Sequence, residues 1–350
     1  MKPIDLVKSP GEWLQAGGPD SGVVISSRAR LARNLAYYPF APRLSMAERA
    51  EVHRKLRDII LSEGLATPEM YIELTDAGEL ERRLLVERHL ISREHSDSDG
   101  RRGVAVGDGE VVSIMVNEED HLRIQVMKSG MQLAKAWEIA SGVDDVIEAH
   151  VEYAYDPDLG YLTACPTNVG TGLRVSVMVH LPALVLTGQV AKVFQAVTRI
   201  NLAVRGLYGE GTDATGHFYQ ISNQSTLGKS EQQLIDTVES AIPQVVRFEQ
   251  AARDSLVRKD RTRLEDRIWR AYGMLKHARM VSSEETLTLL SAVRMGLQLG
   301  LLPGPKLEII NQLILTTQPA HLQALQGREL SVPERDRIRG EHLRSIMNPN

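Results

Sequence analysis

Apolar residues along the chain follow two rhythms, and the change between them comes near Leu234. Up to that point, segments with a two-residue alternation are interleaved with segments of helical period. Beyond it apolar positions recur three and four apart between short polar or proline-bearing breaks, so a mixed sheet-and-helix part is followed by a helical one. Alternation over residues 111–116 and 122–127, joined by the polar turn Asn117-Glu118-Glu119-Asp120, predicts an antiparallel hairpin. Residues 23–30 and 174–181 alternate in the same way. Ser45 stands three before Glu48, the spacing of a capping box, and predicts a helix running to about residue 62. Another helix is predicted over 189–204. In the second part, helices are predicted over 230–253, 260–278, 284–299, 306–316 and 333–347. Ser282 three before Glu285, and Ser331 three before Glu334 with Pro333 early in the helix, mark two of their starts. Residues 95–109, rich in Ser, Asp, Gly and Arg, read as a mobile surface loop.

Composition narrows the class. A chain of 350 residues has room for two domains and for a core that needs no disulfide staples. With 43% hydrophobic and 25% charged residues and a net charge of -4, it reads as an ordinary soluble protein. No basic excess marks a nucleic-acid surface, and with aromatics at 5% no stacking platform for single strands is expected. The first thirty residues lack the cationic start and apolar run of a signal peptide, and no apolar stretch approaches the ~20 residues of a membrane span. The expectation is a cytoplasmic protein with neither nucleic acid nor membrane as partner.

Side chains two apart on a strand share a face. That groups Ser26, Arg28 and Arg30; His121, Arg123 and Gln125; and Arg174, Ser176, Met178 and His180, each set backed by aliphatic residues. A single such strand is ordinarily the solvated side of a half-exposed sheet. Three of them beside glycine-rich and acidic turns suggest phosphate, because the guanidinium is a rigid fork that keeps its charge. A cluster facing one cleft would hold a triphosphate. No Gly-x-x-x-x-Gly-Lys is present, so a P-loop is not the device.

Glu118, Glu119 and Asp120 read most simply as a solvated hairpin tip, yet Glu119 has the parity of Arg123 and on that count points into the same cleft. A second acid, Glu210, lies in residues 205–216, where four glycines suit either an active-site lid or a plain surface loop. Paired carboxylates beside a triphosphate suit a cationic acceptor. A guanidinium, with a pKa above ~12, is a poor nucleophile until a base orients it and takes a proton. Cys165 is the single cysteine of the chain, either a small buried hydrophobe or a thiolate held by nearby positive charge.

Four segments, in order, resemble the phosphagen (guanidino) kinases: Ser26-Ser27-Arg28-Ala29-Arg30-Leu31-Ala32-Arg33-Asn34, Asn117-Glu118-Glu119-Asp120-His121-Leu122-Arg123, Cys165-Pro166-Thr167-Asn168-Val169-Gly170-Thr171-Gly172-Leu173-Arg174, and residues 205–210 followed by Ile221-Ser222-Asn223. They span roughly the first 240 residues. The resemblance implies an α+β fold, a large antiparallel sheet flanked by helices, that moves the γ-phosphoryl of ATP onto a guanidinium nitrogen. It implies that Arg28, Arg30, Arg123, Arg174 and Arg205 grip the phosphates and that His89 packs near the adenine. Glu119 and Glu210 would bind and activate the guanidinium beside Cys165. Mg²⁺ would bridge the phosphates through water and nucleotide oxygens, with no protein ligand assigned.

Kinases of free arginine or creatine carry a helical domain of ~100 residues before the Ser-Ser-Arg strand. Here 25 residues precede Ser26, and a helical part follows the catalytic one instead. With Leu-Tyr-Gly-Glu-Gly-Thr at 207–212 and Met178 where small-molecule kinases have histidine, the chain resembles the bacterial protein arginine kinases, whose acceptor is an arginine side chain of another protein. The expected division is a catalytic domain over 1–240 and an all-α domain over 241–350 serving phosphoarginine binding and dimerisation. Arg335-Asp336-Arg337-Ile338-Arg339-Gly340 is similar to their Arg-Asp-x-x-Arg-Ala signature, which implies an allosteric phosphoarginine site at Arg335, Asp336 and Arg339. An exposed charged helix with Asp336 paired to an arginine is the alternative. Gly340 in place of Ala is expected to loosen that helix by up to ~1 kcal/mol.

The same resemblance implies a role in protein quality control and stress response. It also implies client proteins, a zinc-binding activator, a heat-shock repressor and a Clp unfoldase-protease as partners, and a homodimer. A kinase for a free guanidino metabolite and a non-catalytic phosphoarginine-binding adaptor are the competing readings.

Overall fold

The computed structural model describes residues 3–8, 10–67, 70–206 and 214–348. In chain order β1 (Val24–Arg33), α1 (Met46–Ser62), β2 (Tyr71–Glu73), α2 (Glu79–Glu87) and α3 (Arg93–Asp97) lead to β3 (Gly103–Val106), β4 (Val112–Val116), β5 (Leu122–Ser129) and α4 (Leu133–Glu148). A small hairpin of β6 (Tyr155–Asp156) and β7 (Gly160–Tyr161) precedes β8 (Leu173–His180), α5 (Pro182–Leu186), α6 (Val190–Arg199), β9 (Leu202–Gly206) and β10 (Phe218–Asn223). The helices that follow are α7 (Glu231–His277), α8 (Ser283–Gln298), α9 (Leu307–Thr316), α10 (Pro319–Gln326) and α11 (Val332–Met347).

Eight strands form one antiparallel sheet in the order β2-β3-β4-β5-β1-β8-β10-β9, the α+β architecture the sequence led us to expect. Register decides its chemistry. Arg30 lies opposite Gln125 on one side and Arg174 on the other, while Arg28 lies opposite Met127 and Ser176. Directly opposed residues share a face, so the alternation within each strand becomes one polar, arginine-bearing surface across neighbouring strands. Ala29, Leu31, Ile124, Val126, Val175 and Val177 fill the other face and pack in the main core, with α4 and α7 against the sheet.

A charged residue, Arg33, sits on that apolar side at the end of β1. Arg33 donates from Nε and Nη2 to Asp144 of α4 at 3.0 and 2.7 Å and from Nη1 to the carbonyls of Ala32 and Thr171, and its Cζ lies 3.6 Å from the Tyr161 ring centre. A buried pair of this kind adds little net stability, because desolvation offsets its attraction. Its effect is positional: it ties the 160–172 segment to β1 and α4.

The capping motifs form as their spacing predicts. Ser45 and Glu48 close a capping box, Ser331 and Glu334 do the same, and Ser282 accepts from the Glu285 amide. Three expectations change. Residues 95–109 are only in part a surface loop: His95 is fully buried and its Nε2–H donates to Gly103 O at 3.1 Å, β3 is buried throughout, and Arg102 spends its guanidinium on the carbonyls of His95, Ser96 and Gly100. His95 and Arg102 there satisfy backbone, while Asp97, Asp99, Arg101 and Asp108 face water. The helix predicted over 189–204 ends at Arg199, Asn201 turns the chain at φ 61°, and residues from Leu202 become edge strand β9 on β10. That apolar run suits either period, and pairing with β10 settles it. Finally, α2, α4 and α10 were not anticipated; α10, eight residues with a proline start, carries little periodic signal.

The two helices expected over 230–253 and 260–278 are arms of α7, which breaks its backbone conformation at Asp260; the division expected between residues 240 and 241 falls inside the first arm. The helical part docks back on the polar face. Arg294 of α8 donates to His180 Nδ1 at 3.0 Å, which leaves His180 Nε2–H to donate to Ser291 Oγ at 2.8 Å. Ser291 can then donate to His217 Nδ1 at 3.1 Å. So His180, though on the parity of Arg174, is covered by α8 rather than exposed in a cleft.

Candidate active site

The arginine-bearing face opens into two adjoining cavities of about 680 and 750 Å³. Arg30, Arg123 and Arg205 line both; Arg174 belongs to the first and Arg28 to the second. Burial and the neighbouring cations depress three of these arginines. Arg28, buried and next to Arg174 and Arg123, is pulled down to about 10, and burial with Arg28, Arg123 and Arg174 pushes Arg30 well below the usual guanidinium range. Arg174 is lowered by burial and by Arg205 and Arg123. Arg28 has internal partners in Gln220 at 2.7 Å and Ser176 at 3.3 Å. Among the described residues, the buried Nε groups of Arg30 and Arg174 have no acceptor. Unspent donors on mutually repelling cations form a site built for a polyanion.

Acids close the first cavity. Glu118 is buried and takes Arg123 Nη1 at 2.7 Å, Ser92 Oγ at 2.6 Å and the Glu119 amide at 2.6 Å. Burial works against its ionisation, yet Arg123 and these donors hold its pKa below the ordinary carboxylate value. Glu119 is more open, with one oxygen 3.2 Å from Arg123 Nη2. Burial, Asp120 and Glu118 raise its pKa against the pull of Arg123, which makes it the better proton acceptor of the two. Asp120 accepts from Asn34 Nδ2 and the Ala164 amide, each at 2.7 Å, and so fixes the backbone next to Cys165. Cys165 lines the first cavity with its sulfur 3.0 Å from Thr167 Oγ1. Glu210 lies outside the described residues.

His89 lines the second cavity, edge-on to Trp13 at 5.4 Å, and burial beside Arg28 and Arg30 holds its pKa down to about 3, so the ring is neutral. His121 does not join the arginines. Its Nδ1 accepts from the Leu35 amide at 3.0 Å and Nε2 therefore donates to Pro39 O at 2.9 Å, beneath the hairpin turn. On α11, Arg335 lines a separate cavity of about 450 Å³ and donates to Leu330 O. Arg339 is fully buried, committed to Thr317 O, Val281 O and Asp336, so the two arginines do not present a common open fork.

Sequence reasoning missed Glu118 as the anchor of Arg123, Gln220 and Ser176 as partners of Arg28, and the Asn34–Asp120 bond that holds the Cys165 loop. Parity assigned only Glu119 to the cleft, because it says nothing of a turn in which Asn117 adopts φ 59°. Among the described residues no group of three or more His, Cys, Asp or Glu side chains could hold a metal ion. The donor set fits Mg²⁺ arriving on phosphate oxygens, since that ion keeps its waters and needs few protein ligands.

Comparison with known proteins agrees with this geometry. The family model described as ATP:guanido phosphotransferase, C-terminal catalytic domain, matches residues 51–252, and that described as Protein-arginine kinase McsB C-terminal domain matches residues 261–349. The chain is 48% identical over 345 residues to the protein-arginine kinase of Symbiobacterium thermophilum, covering 97% of this chain and 98% of that protein. It is 45% identical over 348 residues to the protein-arginine kinase of Desulforamulus reducens, covering 98% of each. Among solved structures, a lombricine kinase aligns with a TM-score of 0.58 at 28% identity, over 69% of this chain and 71% of that one. The duplicated taurocyamine kinase of Schistosoma mansoni aligns with a TM-score of 0.60 at 27% identity, over 71% of this chain and 35% of that one.

Proposed function

The chain belongs to the ATP:guanido phosphotransferase family, and from that membership we propose that it is a protein arginine kinase, moving the γ-phosphoryl of ATP to arginine side chains of proteins. The observation that carries this reading is the cluster of five arginines, with unspent buried Nε donors on Arg30 and Arg174, set beside a half-open carboxylate of raised pKa. Arg28, Arg30, Arg123, Arg174 and Arg205 hold the phosphates and neutralise the charge that builds as the terminal group transfers. Glu119 binds the incoming guanidinium and, with Glu210, orients one nitrogen at the γ-phosphorus. That nitrogen forms the P–N bond as the bond to the β,γ-bridging oxygen breaks, and a carboxylate takes the proton. Mg²⁺ comes with ATP as part of the substrate and supplies charge neutralisation on the phosphates.

Cys165 gives electrostatic support and makes no covalent bond. His89 flanks the nucleoside, and Arg335, with Asp336 and Arg339 behind it, serves a phosphoarginine. Clients, a zinc-binding activator, a heat-shock repressor, a Clp unfoldase-protease, a homodimer and a cytoplasmic, stress-related setting complete the reading; no described helix is long and apolar enough to cross a membrane.

The test is mass spectrometry at neutral pH of a model protein incubated with MgATP and the wild-type chain, Glu119→Gln or Glu210→Gln. Phosphate on arginine is expected with wild type and lost in both variants while ATP binding survives. Full activity in both variants refutes the paired-acid mechanism. Transfer to free arginine at the rate of transfer to protein would move the reading to a metabolite kinase.

A further inference from the structure

The larger cavity is not walled by the catalytic part alone. Opposite Arg28 and His89 stand Ser283 and Leu287 of α8 and Gln318 and Pro319 at the start of α10. Those residues fall in the stretch matched by the second family model, 261–349, rather than in the 51–252 match to the phosphotransferase domain. The order of groups along the two cavities is informative. Cys165, Glu118 and Glu119 mark the acceptor end, the shared Arg30, Arg123 and Arg205 mark the middle, and the residues from the helical part mark the far end. A nucleotide with its phosphates on the shared arginines and its terminal group toward Glu119 has one place left for its base and sugar.

That place has the right chemistry. Leu287, Pro319, Ile91 and Met115 supply apolar surface. Gln318 is only 6% exposed; its Nε2 donates to Ile314 O at 2.7 Å and its Oε1 accepts from Ser283 Oγ at 3.3 Å, which leaves one amide hydrogen and one lone pair on the same carboxamide. The wall is also held still. Glu87, itself lining the cavity, accepts from the Ala320 and His321 amides at 2.7 and 3.0 Å and caps α10. Arg88, anchored to Glu110, donates to His321 Nε2 at 3.2 Å, so His321 Nδ1–H donates to Glu87 at 2.8 Å. Two adjacent residues at the end of α2, Glu87 and Arg88, thus clamp α10 immediately before His89.

We propose that the helical part supplies the nucleoside subsite of this kinase, with Gln318 and Ser283 as the polar contacts to the base or sugar and Leu287 and Pro319 as the apolar wall. The proposal rests on the arginine cluster being a polyphosphate site. Nucleotide affinity then depends on two parts of the chain staying docked, and anything that displaces α10 from Glu87 weakens ATP binding without touching an arginine.

Calorimetric titration of the full-length chain with ATP and, separately, with inorganic tripolyphosphate tests this, because the second ligand keeps the phosphates and lacks the nucleoside. Wild type should prefer ATP. Gln318→Ala should weaken ATP by roughly 3–10-fold, the scale of one net hydrogen bond, and leave tripolyphosphate unchanged. Ser283→Phe, which fills the subsite from a position outside the core, should weaken ATP at least tenfold, again sparing tripolyphosphate. Equal losses for both ligands, no loss for either variant, or a wild type that binds the two alike overturns the proposal. A wild type that binds neither overturns the polyphosphate reading beneath it, so the two failures are distinct.

Discussion

Gly340→Ala sets helix propensity against packing. In the interior of α11 alanine is favoured over glycine by up to ~1 kcal/mol, and on that ground alone the substitution stabilises. The surroundings reverse the sign. A Cβ at 340 would lie 2.7 Å from the Arg279 carbonyl oxygen, 2.9 Å from its carbon and 3.1 Å from Ala278 O. These are backbone atoms, and the turn that carries them is pinned to α11: Arg344 donates to Ala278 O, Arg339 to Val281 O at 2.8 Å, and the Val281 amide to Asp336 O at 3.2 Å. Relief by a small local shift would have to loosen those bonds. Forcing a methyl into a packed site costs about 1–3 kcal/mol, and loss of one of the bonds adds about 1 kcal/mol. The net expectation is destabilisation by about 1–3 kcal/mol, a fall in Tm of about 2–12 °C on the scale of a 150–250-residue domain. Differential scanning calorimetry of the two full-length proteins measures it. A Tm equal to or above wild type would mean that the 278–281 turn yields freely and that propensity alone decides at this position.

Glu118→Gln removes the charge that Arg123 leans on from inside the site; hydrogen bonds to charged groups are worth about 1.5–3 kcal/mol, so the KM for ATP should rise about 10–100-fold in a steady-state phosphotransfer assay, and an unchanged KM would remove Glu118 from its anchoring role. Cys165→Ser keeps the contact with Thr167 and should lower kcat by less than about tenfold, as expected of a group that only tunes charge; complete inactivity would point to covalent chemistry instead. His121 is held neutral, its pKa brought by burial from 6.5 to about 4. Protonation at Nδ1 would set two N–H groups against each other at Leu35. Since the unfolded histidine binds its proton more readily, the stability this ring confers is whole above pH ~6.5 and is lost as pH falls toward ~4. Urea unfolding across that window should show the decline, and His121→Asn should flatten part of it; identical slopes for the two proteins would refute the assignment.

Strand alternation identified Arg28, Arg30, Arg123 and Arg174 before any fold was known, because a two-residue period states which side chains share a face. Capping spacings located helix starts at Ser45, Ser282 and Ser331 because the bonds they describe span only three residues. Local sequence was silent where long-range contacts decide. Whether residues 202–206 form helix or strand depends on β10 being there to pair. Whether residues 95–109 are loop or core depends on Arg102 finding carbonyls to satisfy.

By itself, then, the sequence determined the polar and apolar faces of individual elements, the candidate phosphate grip and the family resemblance, all of which depend on spacings of a few residues. Tertiary structure alone decided that β5, β1 and β8 lie side by side so that their arginines converge, that Glu118 pairs with Arg123, and that Gln318 lines the same cavity as His89, more than two hundred residues before it in the chain. The reason is physical: depressed arginine pKa values, shared cavities and buried hydrogen bonds are properties of distances in space, and distances between remote segments follow from packing the whole core.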